Sequence, residues 1–545
     1  MKLALFDASW ASVRQEILSQ FSPVGNCLVI PSGTIIPAVK AIPPKATRRL
    51  LVAWLWTILT SQAGAALGGL DPSFGTGGKV VTPTSSGASR GWSVALQSDG
   101  KILVVGDTFG SDYDVALTRY LANGTLDPTF GTGGVVISPI GPSHDTGFSM
   151  ALQDDGKIIV GGVTFNGTKN NFALVRYLDS GGLDTSFGTG GKVSTPIGSG
   201  NDLGLSVRLQ SDGKIVLAGY SDSGPNRDFA LARYQSDGSL DASFGNGGKV
   251  TTRIGDSFAH GLSAVLQTDG KIIVAGYYSS IITPDRGFAL ARYTSSGALD
   301  TTFGTGGTAT TDLNFTRNYG VSAALQSDGK VIVAGDSNNG TNQVFSLARF
   351  TPSGALDTSF GSGGKVTTPI GTSNDYGGRM ALQSNGMIVL AGFSFTGTNS
   401  SFALARYTAN GLLDTTFGTG GKVTTSIGNG GDEANGVALQ SDGKIIVVGH
   451  SFNGTNTDIA LARYFGGSPL APFITSVAAD SNGTFSLSGT GAAGESYVLV
   501  TATNLLPSVM WTPLATNLTG SNGVFQFTDP QAANISRRYY QLRTP

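Results

Sequence analysis

A unit of about 57 residues recurs seven times between Leu70 and Tyr464, and a unit of that size cannot bury its own apolar face, so each must stack on its neighbours. The recurring parts, with small variations, are Leu-Asp-x-x-Phe-Gly-x-Gly-Gly, Leu-Gln-x-Asp-Gly-Lys and Phe-Ala-Leu-Ala-Arg-Tyr, in that order. The repeat fixes an architecture before it says anything about activity, since a residue used identically in every unit belongs first to the scaffold.

The unit around Asn201 to Val250 shows how one repeat folds. Ser206 to Gln210 alternates as a strand does, Ser211-Asp212-Gly213-Lys214 reverses the chain, and Ile215 to Gly219 returns it. The Asp-Gly dipeptide predicts a tight two-residue hairpin turn with positive φ at both central positions. A third strand, Phe229 to Tyr234, sets Phe229, Leu231 and Arg233 on one face and two alanines with Tyr234 on the other. Large side chains opposite small ones suit sheets stacked face to face. A glycine-rich loop then leads to a short fourth strand, Lys249 to Thr252. Glycine supplies 80 of the 545 residues, about twice its usual share, as a turn-rich all-β chain requires.

Four short antiparallel strands per unit, repeated seven times without helical periodicity, predict an all-β, seven-bladed β-propeller. The runner-up, a β-solenoid, would show shorter repeats without a regular hairpin in each. The two ends of the array are complementary. The first unit opens with a fourth-type strand, Lys79 to Thr82, and the last stops after its third strand at Tyr464. The N-terminal strand is therefore expected to complete the last blade and close the ring. The LDxSFGxGGK, SDGKIIVAG and FALARY elements resemble the delta-60 repeat, a bacterial β-propeller family, over residues 70–464. That resemblance implies a fold and no particular reaction.

An arginine of the third strand and an aspartate of the loop after it keep one spacing: Arg119 with Asp127, Arg176 with Asp184, Arg233 with Asp241, Arg292 with Asp300, Arg349 with Asp357, and Arg406 with Asp414. Identity in every blade marks these as loop-ordering clamps rather than sites. Arg463 has no downstream aspartate and Asp71 no upstream arginine, so a closed ring should bring the two together.

Function is sought where the repeats differ. The connections between strands two and three share one rim with the connections between blades, and loops on a rigid scaffold commonly bind. Just before the innermost strands, alignment of the units puts Arg90, Thr146, Leu203, His260, Tyr319, Tyr376 and Glu433 in one column, expected to ring the channel mouth. The preceding column, Ser89, Asp145, Asp202, Ala259, Asn318, Asp375 and Asp432, reads as turn-capping oxygens, with calcium a second use if they converged. His144, His260 and His450 fall in different units, which argues against a zinc site. No nucleophile elbow, phosphate loop or zinc-protease helix motif is present, so no catalytic residue, metal ligand or cofactor is assigned.

The chain is nearly balanced, with 36 acidic and 35 basic side chains, and offers no electrostatic footprint for nucleic acid. Residues 1–65 read as an N-terminal extension and secretory signal: Lys45, Arg48 and Arg49 precede the apolar run Leu50 to Leu59, and small residues follow in an Ala-x-Ala pattern. The run is about half the roughly 20 residues of a membrane-spanning helix, so no permanent span is expected. The sole cysteine, Cys27, precedes the expected cleavage point. Residues 465–472 have linker composition, and the alternating segments of 473–545 predict a small β-sandwich. The tail resembles C-terminal modules on exported proteins of Verrucomicrobia-type bacteria, around Ala502 to Leu505, Trp511, Phe527 to Pro530 and Arg538 to Arg543.

Three readings of function follow. The first is an exported monomeric scaffold, secreted, cell-surface or periplasmic, whose variable rim recognises a protein or a glycan. The second is a lyase or hydrolase at the channel mouth, with His260 and Glu433 as acid and base and Tyr319 and Tyr376 as binding groups. The third is a structural spacer at the cell surface.

Overall fold

The computed structural model describes residues 66–256, 258–280, 286–313 and 318–467, and beyond these 473–479, 485–490, 496–502, 512–518, 524–529 and 539–543. The expected leader, Cys27, most of the linker and Trp511 lie outside the described residues.

Residues 66–466 form one compact unit, a propeller whose blades occupy 89–138, 143–195, 202–252, 258–311, 318–368, 375–425, and 432–464 together with 79–82. Blade three is representative. Its strands Asp202–Leu209, Ile215–Ser223, Asn226–Tyr234 and Lys249–Thr252 pair antiparallel in chain order. Blade seven holds Asp432–Leu439, Ile445–Phe452 and Thr457–Tyr464, and takes its fourth strand, Lys79–Thr82, from the start of the array, with Lys79 opposite Ala462 and Thr82 opposite Ile459. The ring is thus closed by its own N-terminal strand.

The alternation of the third strand explains why blades stack. Phe229, Ala230, Leu231 and Ala232 are all fully buried. Phe229 and Leu231 pack with Val216 against Ala264, Ile272, Val274 and Ala289 of the next blade, and Ala230 and Ala232 share a cluster with the larger Phe172 and Leu174 of the preceding one. At the closure, Phe74, Ile102, Val104 and Tyr120 share one cluster with Ile446, Val448, Ile459 and Leu461, so the first and last blades pack as any other neighbours do.

The conserved hairpin differs from the two-residue turn expected. Gly213 N–H donates to Gln210 O at 3.0 Å and Gln210 N–H to Lys214 O at 2.8 Å, and Gly213 takes a φ of 81°. This is the three-residue hairpin, a four-residue turn followed by a left-handed glycine. Asp212 caps it instead of adopting positive φ: its Oδ1 accepts from Lys214 N–H at 3.1 Å and its Oδ2 from Lys214 Nζ at 2.9 Å.

The arginine–aspartate pairs order the glycine-rich loops and also join blades. Arg233 Nε donates to Asp241 Oδ2 at 2.8 Å, its guanidinium lies 4.4 Å from the Phe244 ring centroid, and its Nη1 donates to Ser295 O of the next blade. The other internal pairs have the same Arg-to-Asp contact: Arg119–Asp127, Arg176–Asp184, Arg292–Asp300, Arg349–Asp357 and Arg406–Asp414. Arg463 Nε lies 2.8 Å from Asp71 Oδ2 and its Nη1 reaches Ala122 O of blade one at 2.6 Å, completing the circuit.

The C-terminal strands form two three-stranded antiparallel sheets, Phe473–Ala479, Phe485–Thr490 and Val524–Asp529 in one and Thr512–Leu518, Ser496–Ala502 and Tyr539–Arg543 in the other. Leu487, Tyr497, Leu499, Phe525 and Phe527, drawn from both sheets, are buried in one cluster. No helix among the described residues is long and apolar enough to cross a membrane.

Candidate functional site

The column expected at the channel mouth lies at the start of the innermost strands, each residue cross-strand to a residue of strand two: Arg90 with Asp107, Thr146 with Val163, Leu203 with Tyr220, His260 with Tyr277, Tyr319 with Asp336, Tyr376 with Phe393, and Glu433 with His450. The strand-two column is one that sequence reasoning missed. Its signal is plain in retrospect: each member follows the buried glycine of that strand, and it varies from blade to blade while the glycine does not. The segments expected as variable loops are also shorter than the sequence suggests. In blade three the ladder continues to Ser223 and resumes at Asn226, so rim side chains stand on paired strands.

That glycine has a steric cause. A Cβ on Gly276 would meet His260 O at 1.7 Å, and one on Gly335 would meet Tyr319 O at 1.7 Å, because the innermost strand shifts register just after the rim residue and presses its carbonyl onto strand two. Gly276→Ala is therefore expected to destabilise the fold by about 1–3 kcal/mol, the usual cost of overpacking. It should also displace His260, read as a lower urea midpoint and a shifted His260 C2–H resonance; an unchanged midpoint would show that the strand yields freely.

The mouth residues gather into local groups. In blades seven and one, Arg90 makes a two-pronged contact to Asp107 at 2.9 and 3.2 Å, Trp92 Nε1 donates to the same carboxylate at 2.9 Å, and the guanidinium lies 4.7 Å from the Tyr113 ring centroid. Glu433 Oε2 stands 3.7 Å from His450 Nε2. Burial raises the Glu433 pKa, with the Arg90 charge opposing it, and burial followed by Arg90 lowers His450 to about 4. In blades five and six, Tyr376 stacks on Phe393 at 5.0 Å beside the buried Asp336, which accepts from Gln343 Nε2 at 2.9 Å and whose pKa burial raises well above the usual carboxylate range.

The richest group spans blades three to five. Arg227, at the start of the third strand of blade three, forms a parallel bridge to Phe258 in blade four, the contact that fuses these two blades into one sheet. The bridge carries Arg227 across to His260: Nη1 lies 2.9 Å from His260 Nε2, while Nε pairs with Asp222 at 2.7 Å. Burial first, then the charges of Arg227 and Arg286, lower the His260 pKa to about 4. The imidazole is neutral near pH 7, accepts through Nε2, and carries its proton on Nδ1, which is buried without a partner. Tyr220 meets His260 edge-on at 4.7 Å, Tyr277 stacks on it at 4.5 Å, and Tyr319 meets Tyr277 edge-on at 5.0 Å. Arg286 lies 4.9 Å from the Tyr319 ring centroid and donates to its hydroxyl. Arg227, Phe258, His260, Tyr277, Ser279 and Arg286 line a cleft of about 260 Å³.

Several expected partners are not brought together. No hydrogen bond or ion pair among the described residues joins His260 to Glu433, the suggested acid and base; each belongs to its own group. The three histidines likewise have separate neighbours, with His144 accepting from Tyr113 N–H at 3.5 Å. Four carboxylates of the preceding column serve their own turns: Asp202 accepts from Ile197 and Gly198 N–H at 2.7 and 3.1 Å, and Asp145, Asp375 and Asp432 repeat the pattern. Leu203 and Thr146 contribute no charged group.

Seven segments, 97–130, 153–187, 210–244, 267–303, 326–360, 383–417 and 440–466, match a family described as a domain of unknown function (DUF5122) beta-propeller. No curated protein matches the chain. Among solved structures it is similar to polysaccharide lyase Uly1, at 12% identity over 75% of this chain and 95% of that one with a TM-score of 0.41. It is similar also to a catalytically inactive virginiamycin B lyase from Staphylococcus aureus with quinupristin, at 11% identity over 70% and 98% with a TM-score of 0.40. The propeller domain of the trilobed protease from Pyrococcus furiosus matches at 11% identity over 70% and 96% with a TM-score of 0.36.

Proposed function

We propose that this chain is an exported binding propeller that takes an acidic saccharide in the cleft between Arg227 and Arg286. The observation that carries the reading is the pairing of two guanidiniums with an aromatic shelf. Arg286 makes no ion pair among the described residues and Arg227 shares its charge with Asp222 alone, and the described lining of the cleft holds these two guanidiniums and no carboxylate. Phe258 is an exposed aromatic at its mouth, and an exposed ring beside arginines suits a sugar ring bearing a carboxylate or sulfate: the apolar sugar face stacks and the anion meets the guanidinium fork. The neutral His260 adds no further charge and holds Arg227 in place.

Export rests on the basic cluster, apolar run and small-residue sequence of 45–65. The tail, with one buried cluster drawn from two sheets, is read as a β-sandwich that tethers or sorts the propeller, and the repeats as delta-60 units. The protein acts as a monomer, and its ligand is a glycan rather than nucleic acid.

Calorimetry with uronate-bearing, sulfated and neutral oligosaccharides tests this. Binding should be confined to the acidic members and weaken at least about tenfold in Arg227→Ala and Arg286→Ala, the loss of one charge-assisted contact. Equal binding of neutral sugars, or variants indistinguishable from the parent, would reject the assignment.

A further inference from the structure

A second set of rings stands on the rim, in blades one and two, and one ion pair holds it together. Asp107 is fully buried and accepts both the two-pronged contact of Arg90 and the indole N–H of Trp92. The Arg90 guanidinium faces two rings, 5.5 Å from the Trp92 centroid and 4.7 Å from that of Tyr113. Trp92 in turn meets Phe148 of blade two at 5.5 Å, and Tyr113 meets Phe109 edge-on at 5.1 Å. Trp92, Tyr113 and Phe148 are half-buried, and Phe109 is 38% exposed. The rings therefore form one platform, ordered through a buried carboxylate and still partly open to solvent.

The platform's own charges cancel. Arg90 is matched by Asp107, so the rings offer apolar faces without a free charge, whereas the cleft of Arg227 and Arg286 is lined by two guanidiniums and no carboxylate. Such faces suit the apolar side of a sugar ring. The rim is continuous between the two places, because each innermost strand packs directly on the second strand of the blade before it. A Cβ on Gly147 would meet the Val105 side chain at 2.7 Å, one on Gly204 would meet Gly162 O at 2.8 Å, and one on Gly261 would meet Gly219 O at 2.6 Å. The rim residues beside these glycines thus follow one another from Asp107 through Thr146, Val163 and Leu203 to Tyr220 and His260. Thr146, Val163 and Leu203 carry no charge, so nothing on this path opposes an anion. In the other direction the platform borders blade seven, where Asn435 donates to Gly91 O at 3.0 Å and the Glu433 carboxylate is 40% exposed. An acidic chain is therefore admitted over blade two and repelled over blade seven.

We propose that the ligand is a chain of several sugars, with an acidic unit in the cleft and a further unit stacked on the platform of Trp92, Tyr113 and Phe148. This rests on the reading of the cleft as an acidic-saccharide site, and adds to it a polymeric ligand and a second point of contact.

The test compares, on the full chain, a disaccharide with an octasaccharide of the same polymer, for hyaluronan, alginate and chondroitin sulfate. The octasaccharide is expected to bind at least about tenfold tighter than its disaccharide, through an aromatic contact beyond the cleft. Phe148→Ala and Tyr113→Ala, which leave the bonds to Asp107 in place, should remove that gain and keep the disaccharide affinity of the parent. Arg227→Ala should weaken both lengths. Trp92 is the only tryptophan among the described residues; its emission should shift with the octasaccharide and not with the disaccharide, and the shift should vanish in Trp92→Phe. Three results would overturn the polymeric ligand and leave the cleft reading standing: a disaccharide that needs Arg227 while the longer chain binds no tighter, a length gain that survives both platform variants, or a Trp92 emission that responds to neither length. No binding by any of the three polymers, or binding indifferent to Arg227→Ala, would overturn the cleft reading and this inference with it.

Discussion

A chain shortened to begin at Ser85 is expected not to form a closed propeller. It loses three things at once. Asp71, the only carboxylate in contact with the buried Arg463 among the described residues apart from bonds to backbone and hydroxyl groups, is gone, and a buried ion pair broken by removing one partner costs about 3–5 kcal/mol. Phe74, fully buried between the first and last blades, takes with it about 2–3 kcal/mol of apolar burial. The strand Thr457–Tyr464 is left as an unpaired edge along Lys79–Thr82, a template for association with other chains. Against a typical stability of about 5–15 kcal/mol, the combined loss should produce aggregation on size exclusion or a melting transition far below that of the parent. A graded version keeps the strand: Asp71→Ala should cost about as much as Asp241→Ala in blade three, since the clamps have the same geometry. A truncated chain that stays monomeric with an unchanged melting temperature would show that closure contributes nothing.

The closure was legible because the repeat starts and stops out of phase. A fourth-type strand at one end and a missing fourth strand at the other leave a single way to satisfy every edge, and the orphaned Asp71 and Arg463 mark the same junction independently. The hairpin turn was misread for a local reason. Asp-Gly suits both a two-residue turn with two positive φ values and a three-residue turn with one, and the dipeptide alone does not distinguish them; the register between Leu209 and Ile215 does.

The candidate site was only half legible. Aligning the units finds the first-strand column, because its members sit among otherwise constant residues. Its cross-strand partners, among them Tyr220, Tyr277 and His450, hide in the apolar strand two, and only the ladder shows that they face the mouth together. Arg227 escaped for another reason. Its segment reads as a variable connection, and the bridge to Phe258 that delivers it to His260 joins two blades, a relation no single repeat contains.

Acidification is expected to weaken the protein through two histidines that the fold keeps neutral. His260 and His450 are each 9% exposed, and their pKa values fall from 6.5 to about 4. Between those values the unfolded chain binds protons that the folded chain refuses, so stability rises with pH in this window and is lost as pH falls through it. At 1.36 kcal/mol per pKa unit, each histidine removes about 3 kcal/mol between pH 7 and pH 4. Asp336 and Glu433 work in the opposite direction: their raised pKa values mean that the folded state takes up protons more readily, which returns some stability on acidification. The clamp carboxylates also begin to lose their contribution as pH nears the unfolded value of 3.8, Asp300 and Asp357 being held near 2 in the folded state, but this loss is common to parent and variant. The histidine contribution is therefore isolated by difference. Urea unfolding of the parent and of His260→Gln with His450→Gln, at pH 7 and at pH 4, should show the parent losing up to about 6 kcal/mol more than the double variant. A difference that does not change with pH would mean that both imidazoles titrate normally in the folded state, and that Arg227 does not rest on a neutral His260.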